Sequence, residues 1–150
     1  MNQINERSIQ HKRQCSRRLA LQALYQWQFT QDSAKELLDQ YQLDEYWPKS
    51  DHDYLSSLIN GSIDNSVEID QHITSVSEYS IDKIDPIELA ALRIAVYEII
   101  HCQEIPEKVI ISEAIRLCKK FGSDEGFKLV NVVLDKLIRQ IDRTSLIQQN

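Results

Sequence analysis

Residues 84–100 read IDPIELAALRIAVYEII, and no other stretch narrows the possible folds so far. Asp85 stands where an N-cap accepts backbone N–H bonds, and Pro86 suits the first helical position because its φ is fixed and its missing donor is not needed there. Glu88 falls where a capping box places its acid. Leu89, Leu92, Val96 and Ile99 then recur at the spacing of one helical face. The remainder agrees: 3 Gly and 3 Pro in 150 residues supply too few breaks for an all-β chain, and nothing alternates for long with a strand period. The expected fold class is all-α, a single domain of six or seven helices.

The same periodicity lays out the other elements. A first helix is expected from near residue 10 to about Thr30, with Ala20, Ala23, Leu24 and Trp27 inward and His11, Gln14, Arg18, Gln22, Tyr25 and Phe29 on the opposite side. A short helix over residues 33–41 precedes a longer pattern over 51–77, with Leu55, Leu58, Ile59, Ile69, Ile73 and Val76 inward and Gly61 as its point of division. Pro106 opens a helix whose apolar side holds Ile111, Ala114, Ile115, Cys118 and Phe121, and Gly122 is placed to end it in a left-handed turn. Ser123 is the expected cap of a last helix, with Asp124 and Glu125 in its first turn and Phe127, Val130, Leu134, Leu137 and Ile141 facing the core.

The net charge of -6 conceals an uneven distribution. Residues 1–18 sum to +4, residues 32–104 to -12 and residues 105–150 to +2. A polyanion would therefore be drawn to the N-terminus and to part of the C-terminal third, and repelled by the middle. On the first helix the cations share their side with Tyr25 and Phe29, which supplies charges for phosphates and flat rings for unpaired bases. The alternative is a solvated basic helix start with both rings buried against a neighbour, although cations at a helix N-terminus oppose the dipole. A second basic cluster, CKKFGSDEGFK, joins helix-end lysines to a loop whose freed N–H groups suit an anion, a role that Asp124 and Glu125 oppose.

Catalytic patterns are missing: there is no G-x-S-x-G, no P-loop, no Gly-rich dinucleotide fingerprint, and one unrepeated E-x-x-H, Glu98 to His101, which reads better as a helix-end cation than as half of a metal site. Neither a metal nor a cofactor is expected, and an enzyme is not expected. Cys15, Cys102 and Cys118 are odd in number and far apart, as reduced thiols would be. The polar N-terminus and the lack of a membrane-length apolar run place the chain in the cytoplasm.

The stretches RRLALQALYQWQFTQ, LRIAVYEI and EKVIISEAIRLCKKFGSDEGFKLVNVVLDKL, taken in this order, resemble the NusB family of bacterial transcription antitermination factors, from about Lys12 to Ile141. The resemblance implies about seven helices in two packed three-helix subdomains, near residues 10–80 and 81–143, with the basic helix at their junction. It implies binding of single-stranded boxA RNA together with the ribosomal protein NusE, on a transcribing RNA polymerase. Carried over position by position, the RNA contacts are Lys12, Arg13, Arg17, Arg18, Gln22, Tyr25, Lys120, Phe121, Gly122 and Lys128, and the acids facing the protein partner are Glu88 and Glu125. Gln14 and Cys15 stand where relatives often have arginines, Leu129 replaces a phenylalanine, and Val132 replaces the glycine of the usual FVNGVLD. The related domain also occurs fused to RNA methyltransferases, which need a Gly-rich nucleotide-binding segment that these residues lack. A protein-interaction module without its own RNA binding is the alternative, and the oligomeric state, including a homodimer that hides the RNA face, is left open.

Overall fold

A computed structural model describes residues 3–141 and 143. Among them the structure is helical: α1 (Gln3–Thr30), α2 (Ala34–Tyr41), α3 (His52–Asp64), α4 (Ser66–Val76), α5 (Pro86–His101), α6 (Glu107–Phe121) and α7 (Gly126–Gln140), with short 3-10 turns at Trp47–Lys49 and Ile81–Lys83. The all-α class is as the periodicity implies. Contacts divide the chain into two compact units between Asp64 and Asn65. The family resemblance implies a division near residue 80, whereas α4 packs on α5 and α7 and so groups with the helices that follow it.

In the first unit α1 packs on α3, on α2 and on the Trp47–Lys49 turn. Leu19, Ala20, Leu21, Ala23 and Leu24 are sealed by this contact, and each buried leucine contributes about 1.5–3 kcal/mol. The helix begins well before residue 10. Residues 5–12 are exposed, so no apolar period announces them, and no Gly or Pro interrupts them. Gln31, at φ 57, ends the helix in the left-handed region, with its N–H on the Trp27 carbonyl at 2.9 Å. Ser33 caps α2 by accepting from the Glu36 N–H at 3.1 Å. The buried Ser16 hydroxyl donates to the Asp51 carbonyl at 2.8 Å and accepts from the Asp51 N–H at 2.9 Å, which fixes the start of α3 against α1. The break after α3 falls at Asn65 and not at Gly61, which continues the helix.

In the second unit α5 is the central element, packed on α4, α6 and α7, with every residue from Glu88 to Val96 buried. It is buried on all sides, beyond the single stripe that Leu89, Leu92, Val96 and Ile99 describe. Its one guanidinium is satisfied: Arg93 donates to both carboxylate oxygens of Asp70 on α4, at 2.9 and 3.0 Å. Arg143 donates to the carbonyls of Ile99, Cys102 and Ile105, closing the C-terminal end of α5. The buried face of α6 is Ile110, Glu113, Ala114, Leu117 and Cys118, rotated from the expected one so that Ile111, Ile115 and Phe121 are half-buried. On α7, Val130, Val133, Leu134 and Leu137 are buried and Phe127 is half-buried, as is Ile141 just past the helix end.

Candidate nucleic-acid interface

The residues expected to contact RNA fall into two groups, one in each unit. In the first unit they lie on α1. Tyr25 is 40% exposed, so the alternative in which its ring is buried fails. Phe29, one turn on, is more exposed still, and the two rings meet edge to face with centroids 5.2 Å apart. Lys12 is exposed, and Arg13, Arg18 and Gln22 are half-buried.

Arg17 corrects the carry-over from the family. It is 3% exposed, donates from Nη2 to the Tyr54 hydroxyl at 3.2 Å, and lies 5.4 Å from that ring's centroid. Its position, one residue before Arg18, turns it from the exposed side toward α3. It is therefore a packing residue and not a surface phosphate ligand.

Two tyrosines organise these cations, and sequence reasoning missed both. Arg13 lies over the buried Tyr54 ring at 4.7 Å, and Arg18 lies over the Tyr46 ring at 4.0 Å. The exposed Lys49 also approaches Tyr46, with Nζ at 5.2 Å. Such contacts contribute about 0.5–2 kcal/mol each and hold flexible cations in place before any anion arrives. Tyr46 and Tyr54 are distant from α1 in sequence; the packing of α1 on the Trp47–Lys49 turn brings the first to it and the packing on α3 brings the second.

In the second unit the group centres on the loop between α6 and α7. Lys119 and Lys120 are exposed, with their Nζ atoms over the rings of Phe127 at 4.7 Å and Phe121 at 5.6 Å. Lys128 is exposed and pairs with Glu125 at 2.5 Å. A pair this exposed is worth about 0–1 kcal/mol, so an incoming phosphate can displace Glu125.

Glu88 departs furthest from expectation. Carried over as an acid facing the partner protein, it is instead 1% exposed, and it does not close a capping box. Asp85 alone caps α5, accepting from the Ile87 N–H at 3.1 Å. Glu88 Oε1 reaches across to the loop and accepts from the Ser123 N–H at 3.1 Å and the Ser123 hydroxyl at 3.3 Å. The anion that the freed amides of this loop invite is thus supplied from within. Gly122 also differs from its expected role: its φ of -91 is not left-handed, and it is small because a Cβ would overlap Glu88 Oε1 and stand 2.8 Å from the Cys118 carbonyl. Ser123, engaged by Glu88, does not cap α7, which starts at Gly126 after Glu125.

Burial, and then the nearby Asp85, raise the Glu88 pKa above its ordinary 4.5. Burial also pushes the Cys118 thiol up to about 12, which leaves it unreactive. A raised carboxyl pKa means that the folded state prefers the protonated form, so this contribution to stability is complete below pH 4.5 and is lost as the pH rises through the folded value. Glu88→Gln keeps an acceptor for Ser123 and removes the titration. Thermal unfolding from pH 4 to 9 is expected to show the parent losing stability relative to the variant as pH rises. A difference that stays constant, or grows in favour of the parent, would show that Glu88 is held as a stable carboxylate.

Among the described residues no cluster of His, Cys, Asp and Glu could hold a metal, and Glu98 is buried while His101 is exposed and pairs with Glu68 at 3.6 Å. No described helix is long and apolar enough to cross a membrane.

Residues 14–139 match the NusB family. The transcription antitermination protein NusB of Tolumonas auensis is 37% identical over 130 residues, covering 87% of this chain and 94% of that protein. Its counterpart from Coxiella burnetii is 38% identical over 133 residues, covering 89% and 96%. The structure of T. maritima NusB is similar with a TM-score of 0.78 at 26% identity, over 90% of this chain and 96% of that one. A crystal structure of the antitermination factors NusB and NusE in complex with dsRNA matches in fold with a TM-score of 0.72 at 23% identity, over 85% and 96%. With the family matched over most of its length and these relatives covered almost end to end, the chain belongs to the NusB family.

Proposed function

We propose that this protein is a transcription antitermination factor that binds unpaired boxA-type RNA, acts with the ribosomal protein NusE on transcribing RNA polymerase in the cytoplasm, and performs no chemistry of its own. The observation that carries the reading is the exposed Tyr25 ring on a helix whose cations are held in place by Tyr46 and Tyr54. Lys12, Arg13 and Arg18 attract phosphate, Tyr25 offers a face to one base, and Gln22 has an amide to hydrogen-bond a base edge. In the second unit Lys120, Phe121, Gly122 and Lys128 form a further contact, whose loop Glu88 holds from inside. Of the two acids carried over, Glu125 is the exposed one left to face a basic protein partner, and residues 32–104, at -12, supply further acids for it.

Titration of labelled boxA RNA, alone and then with NusE, tests this. Log affinity is expected to fall with log salt at about -0.7 per neutralised phosphate. Lys12→Gln with Arg18→Gln should flatten that slope by about one to two phosphates' worth, and NusE should strengthen the complex. An unchanged slope would remove α1 from the interface. NusE binding without RNA binding under any condition would instead establish a protein-interaction module.

A further inference from the structure

The last turn of α1 carries a large exposed ring that the RNA contacts above leave unused. We infer that Phe29 is a second stacking platform, which takes one more unpaired base of the same RNA next to the base on Tyr25. The inference rests on the proposed RNA-binding function and extends its footprint.

Phe29 is 65% exposed and its ring meets that of the exposed Tyr25, so the two form one continuous exposed aromatic surface. It lies on the stripe Arg18, Gln22, Tyr25, Phe29, spaced so that all four share one side of the helix. Gln26, Gln28 and Thr30, next to these rings in the chain, are polar. Gln26 donates to Asp32 at 3.1 Å and to Gln40 at 2.9 Å, and Thr30 donates to the Gln26 carbonyl at 3.2 Å. Two adjoining rings whose chain neighbours include Gln26, Gln28 and Thr30 match planar nucleobases better than the broad apolar face that a protein partner needs.

The geometry further defines the ligand. The two rings are inclined by 66°, so bases lying on them cannot stack on one another. Only an unpaired, splayed strand satisfies both, and a duplex end could use one at most. The last turn of α1 holds no cation, Asp32 follows it, and the helix C-terminus carries partial negative charge. Phosphate is unwelcome there. The contribution of Phe29 is therefore base stacking without ion release, and the strand has its charge contacts toward the N-terminal part of the helix and its last base at Phe29.

The test uses the full chain, a boxA RNA, and the same RNA shortened by one nucleotide at either end. Phe29→Ala is expected to weaken binding of the long RNA about five- to tenfold, with an unchanged salt slope and unchanged circular dichroism. Removing the nucleotide that reaches Phe29 should bring the parent to the same affinity and leave the variant unaffected. Phe29→Leu should behave like Phe29→Ala, because bulk without a π face does not stack a base. Parent-like binding by Phe29→Ala alongside a loss in Tyr25→Ala overturns the second platform and leaves the functional reading standing. A flattened salt slope in Phe29→Ala, or full affinity in Phe29→Leu, also overturns it. Failure of the parent to bind the RNA at all overturns the functional reading and this inference together.

Discussion

Gly126→Ala, at the first residue of α7, is expected to destabilise the second unit by about 2–3 kcal/mol. The added Cβ would overlap Oε1 and Cδ of Glu88 and stand 2.8 Å from its Cγ. On an exposed surface such a carboxylate would swing aside at little cost. Here it is buried and bonded to Ser123, so displacing it also orphans the Ser123 N–H. The helix propensity that alanine gains over glycine, about 1 kcal/mol at most, opposes the loss without cancelling it. Glu88→Ala vacates the space that the new methyl needs, so the double variant should be more stable than the sum of the two single losses predicts. Urea unfolding of the parent, both single variants and the double variant measures this. Strict additivity, or a Gly126→Ala variant as stable as the parent, would mean that Glu88 does not hold the loop in solution. The same cycle bears on function, because the loop separates Lys120 from Lys128, and a loosened loop no longer fixes where those cations stand.

How much of this was legible in the sequence varies with the range of the interaction concerned. Local signals read correctly: Asp85 with Pro86 starts α5, and the apolar period of α1 places Ala20, Ala23 and Leu24 inside. The exposed side of α1 followed from the same period, since Tyr25 and Phe29 lie opposite that core. Long-range contacts did not read. Arg17 looks like its neighbour Arg18 until α3 places the Tyr54 hydroxyl beside it, and the rings of Tyr46 and Tyr54 carry no mark of their role in holding arginines. Glu88 was misjudged for the same reason: a capping box explains it locally, whereas its actual partner is 35 residues away. Gly122 signalled a left-handed turn, but its small size, like that of Gly126, serves the Glu88 side chain and not a left-handed backbone. The first residues of α1 were missed because an exposed helix has no apolar period to detect.

Tyr25→Ala is expected to cost about 1–3 kcal/mol of RNA affinity, which is about five- to 150-fold, and almost nothing in stability. The ring is 40% exposed and its one ring contact is the edge-to-face pair with Phe29, itself exposed, so its removal opens no cavity in the core. The opposite face of the helix, with Leu19, Ala20, Ala23 and Leu24, stays sealed. The loss should be the same at low and high salt, because stacking releases no counterions, whereas the Lys12→Gln and Arg18→Gln losses should shrink as salt rises. An unpaired RNA should suffer more from Tyr25→Ala than a duplex of the same sequence, since paired bases do not present their faces.

Equilibrium titration of boxA RNA against the parent and Tyr25→Ala proteins, with thermal melts of both in the same buffer, decides the matter. Melts that coincide while the variant binds at least fivefold more weakly are what an RNA-reading face on α1 requires. Coincident melts with equal affinities would show that RNA does not touch this face of the helix.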